Sequence, residues 1–353
     1  MRKLRDVAVP RTLTQRQLNR ALLARQLLLE RPSAPVPRVL ERMGCLQAQY
    51  APSMYVGLWS RVEGLERNDV TRLLERRKIV QGTLMRQTIH LVSAADYWPL
   101  ALAIRESRRE NWLRTRRGHS AREMSAAAKR LRQQFADGAL RRAELSEFLG
   151  GDPVVVNGVG LWLDLVRVPP SGTWEHRRAD LYATAEGWLG PPGEATAEGA
   201  IQHLVRRYLS GFGPASPKDI SDWAGVPPAL LAPALERMRL RRFRSESGDE
   251  LVDLPRAPLP DPDTPAPARF LPVWDATMLV HARRTGILPE EHRPRIFNTK
   301  TPQSMNTFLV EGEVAGSWRY EKGKVRIEPF GKLDASARRE LDDEAERLAA
   351  FHA

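Results

Sequence analysis

The chain of 353 residues has a single cysteine, Cys45. One cysteine excludes an intramolecular disulfide and any metal site built from several thiolates. No apolar run approaches the ~18 residues that a membrane-spanning helix needs. The first six residues are not followed by the apolar segment of a secretion signal. We therefore expect neither secretion nor membrane insertion, and we predict a cytoplasmic, nucleoid-associated protein.

The motifs of the common enzyme classes are also missing. The sequence has no glycine-rich phosphate loop ending in Lys-Ser/Thr, no His-x-x-x-His pair and no Gly-x-Ser-x-Gly elbow. No histidine follows Cys45 closely enough to activate it, so we interpret Cys45 as a small buried hydrophobe rather than a nucleophile. The chain offers no conventional acid–base set, and we expect no metal and no cofactor.

Acidic residues and lysine are scarce relative to arginine. The chain has 55 Lys+Arg against 43 Asp+Glu, a net charge of +12, and only 8 of the basic residues are lysine. A GC-rich genome raises Arg, Ala and Pro together and accounts for part of the arginine excess, but it explains the net charge less easily. A basic, arginine-rich chain suits a polyanionic partner such as nucleic acid.

Capping patterns and periodicity predict a mainly α chain with β wings, an α+β fold. Thr14-x-x-Gln17, Ser93-x-x-Asp96 and Ser216-x-x-Asp219 are helix-start patterns. Residues 79–92 alternate and are rich in Thr, Ile and Val, which predicts a β-hairpin. Three helices followed by a two-stranded wing make a winged helix-turn-helix, a common DNA-binding module.

We divide the chain into tandem winged units and a tail. The predicted boundaries are 12–118 for winged helix 1, 119–195 for winged helix 2, 196–265 for winged helix 3, and 266–353 for a β-rich segment with a final helix. The helix–Gly-turn–helix at 217–239 is the clearest of these signals. Asn157-Gly158 suits either a hairpin turn or, as we prefer, a loop entering a helix.

Two uncharged amides, Gln47 and Gln49, flank Ala48 just after the second predicted helix. In an extended backbone, residues two apart share a face, so both amides would point into one cavity and Ala48 would turn away. In a helix they would diverge by about 200°. Pro52 favours the extended alternative nearby. The simplest alternative is that both amides satisfy backbone groups in a connector.

The segment Leu46-Gln47-Ala48-Gln49-Tyr50 resembles the Gln-x-Gln motif of the AlkZ-like winged-helix DNA glycosylases. The resemblance extends from about Thr12 to the carboxyl terminus. It includes three further stretches: Leu84-Met85-Arg86-Gln87-Thr88-Ile89-His90-Leu91-Val92, Phe270-Leu271-Pro272-Val273-Trp274-Asp275, and Gly312-Glu313-Val314-Ala315-Gly316-Ser317-Trp318-Arg319. A sister subgroup carries Gln-x-Asp, and this chain has Gln49 where that Asp would be.

The resemblance implies a function and its residues. Members remove bulky alkylated purines and unhook DNA interstrand crosslinks, using an open channel rather than a closed base-flipping pocket. Gln47 and Gln49 would be the pair that positions the attacking water. Because N7 alkylation makes the purine cationic and a good leaving group, two amides suffice chemically without a strong acid or base. No lysine is positioned by sequence for a Schiff base, so we predict a monofunctional glycosylase acting as a monomer.

Double-stranded DNA with alkylated bases or crosslinks is the expected partner. The candidates for DNA contact are arginines, a histidine and a lysine in the wings and the tail: Arg86, His90, Arg177, Arg178, Arg283, Arg284 and Lys300. The alternatives are a winged-helix transcription regulator without catalysis, or a protein that binds damaged DNA without cutting it. Regulators commonly dimerise on palindromes, whereas three modules in one chain favour a single-chain clamp on one lesion.

Overall fold

The computed structural model describes residues 10–194, 196–297 and 305–353. Helices account for most of the regular structure in these ranges, and the strands form small sheets. The predicted α+β class is therefore confirmed. None of the helices in the described ranges is long and apolar enough to cross a lipid bilayer. Lys300, a predicted DNA contact, lies outside the described residues.

The first predicted unit contains one more helix before its wing than we expected. Its elements are β1 (Thr12–Leu13), α1 (Gln15–Arg25), α2 (Val36–Met43), β2 (Leu46–Gln47), α3 (Ala51–Trp59), α4 (Arg67–Glu75), β3 (Ile79–Thr83), β4 (Ile89–Ser93) and α5 (Ala94–Thr115). Thr14 and Ser93 cap α1 and α5 as predicted, and β3–β4 is the predicted hairpin. Helix α3 was missed because Pro52 reads as a helix breaker, yet it occupies the first turn, where proline is tolerated.

The second predicted unit contains short helices and two wing strands. Its elements are α6 (Ala121–Gln134), β5 (Leu140–Arg141), α7 (Arg142–Phe148), α8 (Pro153–Gly158), α9 (Gly160–Leu163), β6 (Leu165–Arg167), β7 (Leu181–Thr184) and α10 (Ala185–Leu189). Asn157 and Gly158 form neither the hairpin turn nor the loop that we considered, because they close α8 and α9 follows directly. A Cβ at Gly158 would lie 2.4 Å from the Trp112 ring, so glycine permits this close packing.

The third predicted unit has the expected helix–turn–helix. Its elements are α11 (Ala197–Phe212), α12 (Pro217–Ala224), α13 (Pro228–Arg237), β8 (Arg241–Ser245) and β9 (Glu250–Asp253). Ser216 caps α12 as predicted, and α12 ends at Gly225, whose φ of +70° is the left-handed conformation that glycine adopts without strain. This geometry turns the chain from α12 into the candidate recognition helix α13.

The tail is a four-stranded antiparallel sheet with a covering helix, as predicted. Its elements are β10 (Arg269–Leu271), α14 (Arg293–Ile296), β11 (Thr307–Val310), β12 (Glu313–Glu321), β13 (Lys324–Pro329) and α15 (Ala335–His352). Helix α15 buries Leu341, Ala345 and Leu348, the stripe that its periodicity indicated. The single 3₁₀ turns between 276 and 292 had no recognisable pattern in the sequence.

Sheet pairing joins the units. One six-stranded sheet runs in the order β2-β4-β3-β6-β7-β5 and so combines the wings of the first two units. Strand β1 pairs in parallel with β8 of the third unit, next to β9. The boundaries at 118, 195 and 265 remain our interpretation of a chain whose units share sheets.

Buried ion pairs connect segments that lie far apart in the sequence. Arg25 of α1 pairs with Asp253 of β9 at 2.6 Å, and both side chains are fully buried. Arg61, just after α3, pairs with Asp275 at 2.9 Å. Such pairs stabilise only when their geometry and remaining hydrogen bonds are satisfied. Arg25 also donates to the carbonyls of Leu209 and Pro258, so its buried guanidinium has hydrogen-bond acceptors besides the carboxylate.

Candidate active site

Gln47 lies on the short edge strand of the six-stranded sheet. Helix α2 ends at Gly44 in the left-handed conformation, and the chain then enters β2, which pairs antiparallel with β4. Gln47 is opposite His90 in this pairing. Its side chain is only 5% exposed. The extended backbone that we expected at Gln47 is therefore present.

Gln49 lies beyond the end of that strand and is exposed. The backbone N–H of Ala48 donates to the carbonyl of Ile89 at 2.8 Å, and Oε1 of Gln49 accepts from the N–H of Ile89 at 3.3 Å. For an extended backbone we expected both amides in one cavity with Ala48 turned away, whereas the structure buries Gln47 and exposes Gln49. Ala48 is 2% exposed, because the strand alternation ends at Gln47. The two amides instead lie at different depths beside β4.

Arg86 holds the inner amide. It belongs to the turn between β3 and β4, where it has a φ of +51°. Its Nη2 donates to Oε1 of Gln47 at 3.2 Å, and its Nη1 donates to the carbonyl of Trp223 at 2.7 Å. A guanidinium can only donate, so the carbonyl oxygen of Gln47 must face Arg86. The Nε2 amino group of Gln47 and the second lone pair of Oε1 remain for other partners.

The charge of Arg86 is uncompensated in the described part of the chain. No carboxylate there lies within 4.0 Å of its guanidinium, and burial lowers the pKa of Arg86 from its ordinary value. Burial, and next the charge of Arg86, lower the pKa of His90 to about 3 and that of His281 well below its ordinary value. Both imidazoles are therefore neutral at pH 7, and neither supplies a proton.

His90 and Cys45 are buried behind the glutamines. His90 is 2% exposed and its Nδ1 lies 3.0 Å from the carbonyl of Thr88, so it is not placed to contact a phosphate in this conformation. Burial raises the pKa of the Cys45 thiol, which keeps it protonated. This agrees with the interpretation of Cys45 as a buried hydrophobe.

A cavity of about 280 Å³, here called the aromatic cavity, lies beside the segment that follows Gln49 in the chain. Tyr50, which follows Gln49 directly, lies at its wall. The other prominent side chains that line it are Trp174, Arg177, Trp318, Tyr320 and His352. Its walls thus come from the first wing unit, the loop of the second and the carboxyl-terminal tail. Nothing in the sequence connected these rings with the glutamines, apart from the adjacency of Tyr50.

The remaining predicted DNA contacts are spread over the surface. Arg177 is exposed and its Nη1 donates to the hydroxyl of Tyr50 at 3.3 Å, which brings it to the aromatic cavity. Arg178 is exposed and lies 3.3 Å from the Asp180 carboxylate. Arg283 is half-buried and donates to the carbonyl of Pro214. The side chain of Arg284 lies outside the described part of the structure.

Comparison with known proteins shows the family of the chain. A sequence model of the family described as DNA glycosylase AlkZ-like matches residues 40–351. The solved structure of the Streptomyces sahachiroi DNA glycosylase AlkZ matches with a TM-score of 0.81 at 17% identity, covering 97% of this chain and 98% of that one; at that identity it shows a common fold. No curated protein matches. Because the family match covers most of the chain, including both glutamines, this chain belongs to the AlkZ-like family and is a DNA glycosylase.

Proposed function

We propose that the chain hydrolyses the N-glycosidic bond of bulky N7-alkylated purines and unhooks interstrand crosslinks, with Gln47 and Gln49 positioning the attacking water. One observation carries this proposal. Oε1 of Gln47 accepts from the Arg86 guanidinium, which lies near the buried imidazoles of His90 and His281, and Gln49 follows two residues later in the chain. No carboxylate in the described residues pairs with that guanidinium. Such a site suits a substrate that needs no strong acid or base.

The chemistry of the lesion makes up for the missing acid. An N7-alkylpurine is cationic, so the electron pair of the C1′–N9 bond neutralises the ring as the base departs. The water oxygen then bonds to C1′, and its proton passes to solvent. The protein contributes position and fixed dipoles, which stabilise the oxocarbenium-like transition state without reorganising.

The different depths of the two glutamines suit different tasks. Arg86 fixes Oε1 of Gln47, and the backbone N–H of Ile89 fixes Oε1 of Gln49. Each carbonyl oxygen keeps one free lone pair that can accept a water proton. A water that donates to both oxygens would be held in a single orientation, which is what an intramolecular-like attack requires.

DNA contact comes from exposed arginines of the wings. Arg177 lines the aromatic cavity, the next residue Arg178 is exposed, and the net charge of +12 favours association with a polyanion. We infer that the enzyme acts as a monomer on double-stranded DNA in the nucleoid. No lysine is among the residues that we assign to the site, so base release should leave an intact abasic strand.

The test uses two labelled duplexes, one with a single N7-alkylguanine and one with an N7-linked interstrand crosslink. Each is incubated with wild type, Gln47→Ala, Gln49→Ala and the control Gln133→Ala, an exposed glutamine of α6. Alkali then converts abasic sites to strand breaks. We expect release by wild type and the control, and strong loss in the two site variants.

The other outcomes have definite meanings. Release that survives both substitutions would contradict the assignment of Gln47 and Gln49. Absence of base release from both duplexes would contradict the proposed substrate class. Release from the alkylguanine duplex alone would show that crosslinks are not substrates. Borohydride trapping of a covalent protein–DNA complex would contradict the monofunctional mechanism.

A further inference from the structure

The aromatic cavity is built from stacked and edge-on rings. The His352 imidazole stacks on Tyr320 with centroids 4.3 Å apart and an interplanar angle of 19°. Trp174 meets His352 edge-on at 5.1 Å, and the guanidinium carbon of Arg177 lies 5.9 Å from the Trp174 ring. Rings and guanidinium planes in this arrangement are the groups on which proteins stack nucleobases and other planar rings.

Polar atoms in the wall lack partners. Ser53 lines the cavity and is 3% exposed, yet its Oγ has no hydrogen-bond partner among the described residues. The same is true of Nε2 of His352. Buried polar groups in folded proteins are normally hydrogen-bonded. The protein itself therefore leaves part of the polar wall of this cavity unsatisfied.

The electrostatics of the cavity favour an electron-rich ring. None of the residues that line it is acidic, and Arg177 and Arg319 stand in its wall. Burial, followed by the charges of Arg67 and Arg177, lowers the pKa of His352 to about 4. At pH 7 the imidazole is neutral and offers both a donor and an acceptor.

We propose that the aromatic cavity binds one planar aromatic ring system with a hydrogen-bonding edge, supplied by the lesion. The ring is either the departing purine or an aryl group carried by the alkyl adduct. A volume of about 280 Å³ lies just below the ~300–1,000 Å³ of typical ligand sites, so it holds one ring system and not a base pair. The proposal rests on the proposed function, because Tyr50 connects the cavity to Gln49.

The experiment compares wild type with Tyr50→Ala and Tyr320→Ala. Tyr50 is 43% exposed, so its removal leaves the core intact, and Phe148→Ala is a matched control because Phe148 is 38% exposed and lies in the second unit. KM and kcat are measured on duplexes that differ only in carrying N7-methylguanine or N7-(1-naphthylmethyl)guanine. Binding of free 7-methylguanine and of 1-naphthylmethanol is followed by tryptophan fluorescence, which Trp174 and Trp318 report.

The two sources of the ring give different results. If the adduct supplies the ring, both variants raise KM about tenfold for the naphthylmethyl substrate only. They also weaken the binding of free 1-naphthylmethanol. If the departing purine supplies it, both duplexes are affected alike and 7-methylguanine binds more weakly. Affinities and KM values that match wild type in both variants would overturn the proposal, as would a wild type that binds neither free ligand.

The ligand titrations need neither DNA nor cleavage. A wild type that binds a free ring, with weaker binding in Tyr50→Ala and Tyr320→Ala, supports the cavity even if it releases no base from either duplex. That combination would contradict the proposed function and leave the proposal for the cavity standing.

Discussion

Nη2 of Arg86 donates to Oε1 of Gln47 at 3.2 Å, and this contact holds the carbonyl end of the Gln47 amide against the guanidinium. The two residues are 39 positions apart, and the register of β2 against β4 brings them together. A second bond, from Nη1 to the carbonyl of Trp223, fixes the guanidinium from the other side. Arg86 therefore links the first and third units at the proposed reaction centre.

We predict that Arg86→Met lowers base release about tenfold to a hundredfold, the range for a hydrogen bond to a charged group worth about 1.5–3 kcal/mol. The reason is that the Gln47 amide loses its fixed orientation. In a Gln47→Ala background, the same substitution should have little further effect, because the two residues act as one unit. Single-turnover rates of the four proteins measure this coupling.

The control for this double-mutant comparison of Arg86 and Gln47 is Arg109→Met. Arg109 also donates to backbone carbonyls, those of Leu161 and Trp162, but outside the site. Its removal should leave the rate of base release unchanged. Fully additive effects of Arg86→Met and Gln47→Ala would show that Arg86 acts independently of Gln47.

Gln49→Asp should extend activity to less activated bases. A carboxylate can accept the proton of the attacking water, and the N–H of Ile89 that now bonds Oε1 would favour its charged form. We expect higher release of the uncharged, ring-opened form of an N7-alkylguanine, with little change for the cationic form. The new activity should decline as the pH falls below about 4, where aspartate protonates.

Gln49→Asn is the control for that substitution, because it shortens the side chain equally without adding a charge. Rates on both forms are measured from pH 3 to 8. An unchanged preference for the cationic base in Gln49→Asp would contradict the view that the amide limits the range of substrates.

The stability of the protein should decrease as the pH falls from about 6.5 towards 3. His90 has its pKa lowered to about 3 in the folded chain, so the unfolded chain binds an extra proton in this interval. For each extra proton that the unfolded chain binds, the free energy of unfolding decreases by about 1.4 kcal/mol per unit of falling pH. We predict that His90→Leu reduces this slope. Denaturant unfolding at pH 6.5, 5.5 and 4.5 measures it, and equal slopes for both proteins would contradict the prediction.

Arg25→Met should destabilise the fold by about 3–5 kcal/mol, because it leaves the Asp253 carboxylate buried with less compensation. Arg241 still pairs with Asp253, which places the expected loss towards the lower end. The matched comparison is Lys218→Met, which removes an exposed pair with Asp222 and should change the stability little, because solvent screens exposed pairs. Thermal and denaturant unfolding test both. Similar losses of unfolding free energy in the two variants would contradict the conclusion that the buried pair stabilises the fold more than the exposed pair does.

Local signals in the sequence predicted much of the fold. Caps at Thr14, Ser93 and Ser216, the alternation of β3–β4 and the glycine after α12 depend on nearby residues only, and the structure confirms them. Helix α3 was missed because its proline signal is ambiguous between breaking and starting a helix. The merging of two wings into one sheet was missed because strand pairing over long separations leaves no local pattern.

The site was predictable only in part for the same reason. The resemblance proposed Gln47 and Gln49, and the hairpin pattern covered Arg86, but no local signal marked the contact of Arg86 with Gln47. Their unequal burial depends on where β2 stops pairing with β4, which the sequence does not mark. The carbonyl of Trp223 and the ring of His352 join the site through tertiary contacts alone.

The distribution of the site along the chain has a consequence for synthesis. Gln47 and Arg86 leave the ribosome early, but the Trp223 carbonyl that holds Arg86 follows about 140 residues later, and α15 closes the aromatic cavity later still. A nascent chain that has released only its first two units therefore carries both glutamines and Arg86, but not the carbonyl that holds the guanidinium from its other side. The last wall of the aromatic cavity is added only when the final helix has been made.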